Sequence, residues 1–432
     1  MRPPLILALV LLAPLLSSPA VGAAADDPRP IVPASEIQAK IERGEPVAYD
    51  GVIVVGDLDI RGLDLPTKHV ERTEYEIYIL HLIEEAKVIE SSIIIKNSEI
   101  RGTVSFSGSQ FNGIASFWGV QFSGNADFSG AQFNGISYFY SAKFSGDADF
   151  SWAEFRGYVF FNEAQFDGNA DFSWAEFSGY ALFNEAQFNG NADFSWAEFS
   201  VDAFFTEVQF SGNAYFSTAQ FRETSYFNNA LFNNTNLIFN DAKIYILHLS
   251  DSTLENGSTI SLERTDYERM YVHWDQIKDG FVYNGEAYLA LVRNFKTIEY
   301  FEDADSCYYQ YRRERQSMRS WLERAKYVDI LAWLTCGYGV RPGYTLGLGF
   351  FSVLTSSLYY WRTGAIRRLK GNEEESANFW DAFYFSTMTF TTVGYGDWYP
   401  LDRHRKVVMI EGIIGWLTLS LFLVTLANVI IR

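Results

Sequence analysis

A row of backbone carbonyl groups is the first candidate for chemistry in this sequence. Near its end the chain reads Thr392-Val393-Gly394-Tyr395-Gly396-Asp397, with glycine at two alternate positions. Glycine adopts backbone conformations that other L-residues avoid, so successive carbonyl oxygens of this segment can all face one axis. Such a row of oxygens can replace the hydration shell of a cation. The segment therefore predicts an ion path lined by backbone atoms.

Two apolar stretches flank this segment. Residues 344–361 carry no charge, and residues 407–431 contain Glu411 as their one ionisable residue. Both are long enough to cross a bilayer, and the stretch between them is aromatic and amphipathic. We therefore predict one membrane domain over 343–432, with a first span at 344–361, a short helix at 379–391, the ion path at 392–397 and a second span at 407–431.

The stretch from Phe379 to Pro400 resembles the pore helix and selectivity filter of potassium channels. The resemblance implies a homotetramer in a lipid bilayer, in which four chains surround each K⁺ with about eight oxygens. It implies no cofactor, since K⁺ is the permeant ion. The residues that it implicates in ion binding are Thr392, Val393, Gly394, Tyr395 and Gly396.

The resemblance also implies supporting roles around the filter. Asp397 would hydrogen-bond behind the filter to pore-helix aromatics such as Trp380, and Gly412 or Gly415 would be the point where the inner helix bends. Glu411 lies early in the second span, and an acid inside a membrane is functional by default. We expect Glu411 behind the filter near its outer end, with a partner that the sequence does not identify.

A long repeat precedes the membrane domain. Phenylalanine recurs at alternating spacings of five and six from Phe106 to Phe232, and a period of 22 is superposed on it at Trp152, Trp174 and Trp196. A period sustained over more than a hundred residues indicates a solenoid, in which each unit packs on its neighbours. Most of these phenylalanines follow a small residue by two positions, which places both side chains inside. We predict coils of 22 residues with four short sides.

Blocks such as Ala148-Asp149-Phe150-Ser151-Trp152 resemble the pentapeptide-repeat family, which forms a right-handed quadrilateral β-helix. The sequence departs from the family pattern by an extra residue in every second unit and by Phe in place of Leu. The fold expected is thus a multidomain β + α membrane protein, with a β-helix at 101–240. The segments 26–100 and 241–283 are expected to be β-rich, and irregular coils in them, at 77–95 and 244–260, to cap its two ends.

Residues 284–342 change to helical periodicity with dense positive charge. They resemble the connector of prokaryotic pentapeptide-repeat ion-channel proteins. We predict a helical hairpin that ends in an amphipathic helix at the membrane surface, where Trp321, Tyr327 and Trp333 would lie among headgroups. The alternative is a solvated helix pair packed on the rod.

The N-terminus bears on orientation. Residues 1–25 contain Arg2, an apolar run and then small residues, which is the order of a secretory signal peptide, with an uncleaved anchor as the alternative. A cleaved signal would place the β-helix outside the cell. Basic residues between the spans agree with this orientation, whereas the basic hairpin before residue 344 argues for the opposite one. The sequence favours an external β-helix in a multi-pass protein of the cell membrane.

Composition excludes some functions. The formal charge of -19 argues against binding to nucleic acid. Carboxylates of the repeat recur with its period, as solvated faces do, so no catalytic group is indicated and the protein is not expected to be an enzyme. Cys307 and Cys336 are interpreted as buried thiols.

Three functions remain open. The first is a potassium-selective channel whose β-helix is a docking or regulatory domain for an unknown protein or ligand. The second is a membrane-anchored interaction protein that uses the β-helix, and the third is a ligand-gated receptor channel of inverted topology. The two filter glycines favour the first, because an anchor has no need of them.

Overall fold

The protein is described here by a computed structural model. It describes residues 27–78, 82–370, 373–394 and 396–430. The signal-peptide prediction and Tyr395 therefore lie outside the described residues.

Short parallel strands build a rod of about eleven turns over residues 31–271. Neighbouring strands pair with a shift of 22 residues, as in Ala148 with Ala170 and Phe155 with Phe177. This register confirms the predicted coil length. Each coil has four sides, which we name by their outward residues: the aspartate face, the glutamate face, the aromatic face and the amide face.

The strands of the aspartate face are Leu58–Asp59, Val104–Ser105, Ala126–Asp127, Ala148–Asp149, Ala170–Asp171, Ala192–Asp193, Ala214–Tyr215, Asn236–Ile238 and Thr259–Ser261. Those of the amide face are Ile31–Pro33, Ile53–Val55, Glu99–Ile100, Gln121–Phe122, Lys143–Phe144, Gln165–Phe166, Gln187–Phe188, Gln209–Phe210, Leu231–Asn233 and Thr253–Glu255. Those of the glutamate face are Thr67–His69, Glu85–Ile89, Gln110–Phe111, Gln132–Phe133, Glu154–Phe155, Glu176–Phe177 and Glu198–Phe199. Those of the aromatic face are Val47–Asp50, Ile93–Lys96, Ala115–Ser116, Ser137–Tyr138, Val159–Phe160, Ala181–Leu182 and Ala203–Phe204. The longer strands Gln220–Tyr226, Lys243–His248 and Asp266–Tyr271 continue both the glutamate and the aromatic face.

Stacked phenylalanines fill the rod. Phe172 is fully buried, and its ring lies 5.0 Å from that of Phe150 and 4.8 Å from that of Phe194, nearly parallel to both. Phe183 is buried in the same way against Phe161 and Phe205. The predicted ladder is thus confirmed, and offset stacking adds to the free energy of burial at each step.

Two kinds of corner explain the alternating spacing of five and six. The five-residue spacing turns through a left-handed residue, which recurs every eleven positions at Gly108, Gly119, Gly130, Ser141, Trp152, Glu163, Trp174, Glu185, Trp196, Glu207, Thr218 and Asn229. In most coils the six-residue spacing turns at a glycine, such as Gly157, whose added Cβ would lie 2.5 Å from the carbonyl oxygen of Gly135 in the coil before; Val201 and Glu223 take this position in two later coils. The extra residue therefore belongs to a corner that packs backbone on backbone.

Helices cover both ends of the rod. Helix α1 (Ala34–Glu42) buries Ile37 and Ile41 against the first coil, and α2 (Glu74–Tyr78) lies in the N-terminal region. At the other end lie α3 (Trp274–Ile277), α4 (Gly285–Thr297) and α5 (Phe301–Met318).

The end of the stack is closed by side chains of these helices. Tyr288, Leu291 and Phe295 are fully buried. The side-chain amide of Asn294 donates to the carbonyl of Met270 at 2.7 Å and accepts from its N–H at 2.9 Å, so it replaces the next strand. The strands of 243–271 extend the sheets with a register irregularity between Phe221 and Thr224, and the helices that cover the open end lie beyond these strands. On the other side, the stretch 77–95 begins with the end of α2 rather than a strand.

Helix α6 (Arg324–Cys336) buries an acidic side chain and exposes apolar ones, which is the reverse of a surface helix in a soluble protein. Asp329 is buried and accepts hydrogen bonds from Arg312 and Arg319 of the preceding segment, both at 2.7 Å. On the opposite side Val328 and Leu331 are 65% and 62% exposed. Cys307 and Cys336 are free and buried, as predicted, and burial raises the pKa of the Cys307 thiol.

The aspartate face predicts a pH-dependent stability. Asp149 stacks between Asp127 and Asp171, and burial together with these like charges raises its pKa from 3.8 to about 6. A pKa raised by folding means that the ionised form opposes folding. The contribution of Asp149 to stability is therefore most favourable below its unfolded-state pKa, and it is lost as the pH rises through the folded-state value.

Asp149→Asn should raise the melting temperature of the rod at neutral pH by roughly 2–4 °C, the shift expected from about 1 kcal/mol in a domain of this size. The gain should vanish at acidic pH. Circular dichroism of the purified protein gives the measurement, with Asp167→Asn as control. Asp167 pairs with Lys143 and its pKa is lowered, so the control should not be stabilised. An equal gain at both pH values would contradict the assignment.

Candidate functional site

The membrane domain packs two long helices around a short one. Helix α7 (Pro342–Thr363) has 22 residues, α8 (Phe379–Phe390) has 12, and α9 (Arg405–Ile430) has 26. Between α7 and α8 the strands Ile366–Lys370 and Glu373–Ser376 form an antiparallel hairpin, which Tyr399–Pro400 extends. Single-turn helices lie at Gly337–Gly339 and Asp402–His404.

Among the described residues, one helical segment, Asp402–Ile430, combines the length and apolar composition that a membrane crossing requires. Helix α7 is about 33 Å long, which is enough for a hydrocarbon core of about 30 Å. Its role as another span stays a prediction.

The glycine segment 392–397 begins at the end of α8, and its first backbone N–H groups donate hydrogen bonds to carbonyls of that helix. The N–H of Thr392 donates to the carbonyl of Thr389 at 3.1 Å, and the N–H groups of Val393 and Gly394 donate to the carbonyl of Met388 at 3.0 and 3.4 Å. Thr392, Gly394 and Gly396 all have φ between 57° and 74°. This alternation of left-handed residues is the conformation that lets successive carbonyls point the same way.

Helix α8 begins with a capping box. The Asn378 side chain accepts from the N–H of Asp381 at 3.0 Å, and the Asp381 carboxylate accepts from the N–H of Asn378 at 3.0 Å. This cap fixes where α8 starts. The C-terminal, partially negative end of the helix dipole therefore comes directly before Thr392, where it favours a cation.

Glu411 joins α9 to both other helices. Its carboxyl is 3% exposed, and it accepts a hydrogen bond from the Tyr360 hydroxyl of α7 at 2.5 Å and one from the Ser386 hydroxyl of α8. Ser386 also lies 3.0 Å from the carbonyl of Val353. Glu411 is thus the shared partner of two hydroxyls, and the three helices meet at this one side chain.

An apolar cluster surrounds this contact on the side of the hairpin. It consists of Tyr360, Ala365, Ile366, Ala382, Phe385 and Trp398, all 8% exposed or less. The sequence analysis did not foresee that Tyr360 is fully buried, whereas Tyr359 and Trp361 beside it are 37% and 46% exposed. Ser386 and Trp398 were missed as well.

The two glycines of α9 lie at different distances from the pore helix. A Cβ on Gly415 would lie 2.0 Å from the carbonyl oxygen of Phe390, whereas one on Gly412 would meet its nearest atom at 3.9 Å. Helix α9 is continuous through both residues. Gly415 is therefore required for the close approach of α9 to the end of α8, and the predicted bending role is not tested by this conformation.

Trp380 and Asp397 are not brought together within one chain. Trp380 is 72% exposed and packs edge-on against Phe379 and Phe383. Among the described residues, Asp397 makes no hydrogen bond to Trp380. Trp398 takes the buried position next to the pore helix instead.

Comparisons with known families agree with these two structural units. Residues 348–432 match the family described as an ion channel, and residues 92–132, 128–173 and 175–220 match pentapeptide repeats, in nine copies. Searches of curated proteins and of solved structures found no match.

The chain therefore combines a pentapeptide-repeat β-helix with a pore domain of the two-transmembrane ion-channel family. Neither family is enzymatic. Membrane and ions are accordingly the partners that the pore domain requires.

The Glu411 contact predicts a measurable effect on ion permeation. Glu411→Leu removes the acceptor of the buried Tyr360 hydroxyl, which then costs about 1–3 kcal/mol unpaired, and it leaves the Ser386 hydroxyl with the carbonyl of Val353 alone. We expect the pore helix to lose its fixed position, and the relative permeability of K⁺ over Na⁺ in reconstituted protein to fall. Glu411→Gln keeps an acceptor and a donor and should retain most of the ratio, and Tyr360→Phe should lie between them. An unchanged ratio in Glu411→Leu would show that this side chain does not position the pore helix.

Proposed function

We propose that this protein is a homotetrameric, potassium-selective channel that conducts K⁺ passively. Backbone carbonyls of Thr392, Val393, Gly394 and Tyr395 bind the ion, Gly396 completes the filter, and the rod is a docking or regulatory domain. The observation that carries the proposal is the left-handed backbone at Thr392, Gly394 and Gly396 directly after the pore helix.

The surroundings of this segment support the same function. The pore helix directs its dipole to the start of the segment, and Glu411 and Gly415 hold that helix against α7 and α9. A membrane anchor needs no such support for six residues. The proposed ion path also needs no charged ligand, because backbone carbonyls bind K⁺ and the Thr392 hydroxyl closes the inner end.

We further propose that α6 lies at the membrane surface. Its buried Asp329 faces Arg312 and Arg319, while Tyr327, Val328, Leu331 and Leu334 form an exposed apolar face. A bilayer interface suits such a face better than water does. Of the two sequence interpretations of 284–342, the rod-packed helix pair describes α4 and α5, and the interfacial helix describes α6.

The filter proposal predicts the reversal potential. In reconstituted protein with unequal K⁺ and Na⁺ on the two sides, it should lie near the K⁺ equilibrium potential. Gly394→Ala should abolish the current, since alanine resists φ of 57° and turns the carbonyl row. Gly347→Ala is the matched control, because a Cβ there meets no atom within 4 Å and current should persist. Equal permeability of Na⁺ and K⁺ in the unmodified protein would contradict the proposal.

Orientation is a separate proposal. Helix α7 starts next to the connector, and Tyr360 in its last turn lies beside Trp398 and the outer end of the segment. If α7 crosses the bilayer, the rod and the filter mouth lie on opposite sides of the membrane. The signal-like residues 1–25 support an external rod, which turns the mouth at Asp397 toward the cytoplasm.

Single cysteines test this orientation in a Cys307→Ser, Cys336→Ser background. Asn169 is exposed on the rod, and Gly371 lies in the hairpin between α7 and α8, outside the described residues. An impermeant thiol reagent on intact cells should label Asn169→Cys and spare Gly371→Cys, and permeabilised cells provide the control in which both react. The reverse pattern would establish an internal rod, and labelling at both sites would place both segments outside the cell.

A further inference from the structure

The aromatic face differs from the other three faces of the rod. Its outward row has no charged side chain at neutral pH, and burial lowers the pKa of its one imidazole, His248. The members of the row are Tyr138, Phe160, Leu182, Phe204, Tyr226, His248 and Tyr271. A second apolar row runs beside its first half, at Ile114, Ile136, Tyr158 and Tyr180.

These rows are open to solvent in the single chain. Ile114, Ile136 and Tyr158 are 42%, 38% and 45% exposed, and Trp118 at the edge is 43% exposed. An apolar strip of this length on an otherwise polar rod marks an interaction surface.

The rings of the row are already stacked on one another. Tyr138 and Phe160 are parallel within 9° at 5.1 Å, and Phe204 and Tyr226 within 8° at 5.1 Å. The ring faces are therefore used, and ring edges are presented outward. A flat ligand that stacks on an aromatic face finds no open one here, whereas a second apolar strip can pack against edges.

Charge decides which partner can approach. The aspartate face carries Asp127, Asp149, Asp171 and Asp193, and the glutamate face carries Glu154, Glu176 and Glu198, within a chain of formal charge -19. Two such chains repel each other through these faces. The central row of the aromatic face is uncharged, and acids lie only at its edges, with Asp202 on one side and Glu163, Glu185 and Glu207 on the other. A second copy can therefore approach this face along an uncharged apolar row.

The area of the strip limits how it can be used. Six steps of about 4.8 Å between seven rungs give a length of about 29 Å, and the two rows lie about 7 Å apart, which gives about 200 Å². A stable interface buries about 800 Å² on each partner, so free chains would pair weakly through this strip. Chains tethered through a shared pore meet at an effective concentration of the order of millimolar, at which a weak contact is populated.

We propose that the aromatic face packs against the same face of a second copy of this chain, within the tetramer. The proposal rests on the proposed tetrameric channel. The contact is isologous, because a head-to-tail ring would place the strip against a polar or acidic face of the next rod. The four rods then form two pairs above the four-fold pore.

This geometry places identical rungs opposite each other. A two-fold axis parallel to the rods brings each residue of the central row near its own copy at the same height. Leu182 lies in the middle of the row, half-buried between Phe160 and Phe204. Asp171 lies in the same coil on the aspartate face and provides the matched position.

Cross-linking in native membranes tests the pairing. Full-length protein with Cys307→Ser and Cys336→Ser carries either Leu182→Cys or Asp171→Cys and is treated with a short bis-maleimide. We expect at least about tenfold more covalent dimer for Leu182→Cys, because pairing holds the two thiols in proximity. Phe160→Asp with Phe204→Asp should abolish that dimer through like-charge repulsion. Gln165→Asp with Gln209→Asp, in the same coils on the amide face, should leave it unchanged.

Native mass measurement of the same samples separates the two proposals. A tetramer without the Leu182 cross-link, or with equal cross-linking at Asp171, overturns the pairing and leaves the channel proposal intact. A monomer overturns the tetrameric channel, and without the cross-link it overturns the pairing as well. A Leu182→Cys thiol that is protected from a monofunctional maleimide but forms no dimer identifies a different partner on this face and also overturns the pairing.

Discussion

The 22-residue register between neighbouring strands is the constraint on which the rod depends. It stacks every residue on its own equivalent, so any property of one coil is repeated along the whole length. For Phe172 the result is favourable, because parallel rings bury each other completely. For Asp149 the same rule costs stability, because the carboxyl is largely buried within the stack and lies between two further carboxylates. The same register aligns outward apolar side chains of successive coils in one row. An apolar residue that recurs at one position of each coil therefore produces a continuous apolar face.

The connector links the rod to the pore domain through helices in two different environments. Helices α4 and α5 close the last coil with buried aromatic residues and with the Asn294 amide, which takes the place of a strand. Helix α6 then turns its charges toward α5 and its apolar residues outward. A buried Asp329 is acceptable only because two arginines reach it, so α5 and α6 depend on each other for their positions.

In the pore domain a few polar contacts position a short helix whose end presents the ion path. The hydroxyls of Tyr360 and Ser386 converge on Glu411, and Gly415 lets α9 approach the backbone of Phe390. Each of these contacts joins residues that are distant in the chain. The six residues 392–397 make few packing contacts themselves. Their position therefore depends on α8, which precedes them, and on α7 and α9, which hold α8 in place.

The coil length, the inward Phe and Ala positions, the buried thiols and the place of the pore helix could be predicted from sequence, because each follows from a local period or motif that reports the same environment at every repeat. The helical cap, the reversed polarity of α6, the burial of Tyr360 and the partners of Glu411 could not. They depend on which segments meet across tens or hundreds of residues, and a side chain such as Tyr360 suits a lipid interface and a buried hydrogen bond equally well in composition. The sequence by itself determined the repeat and the glycine pattern, since both are backbone requirements. Only the tertiary structure decided which polar side chains found partners, because burial and pairing exist only once the helices are packed together.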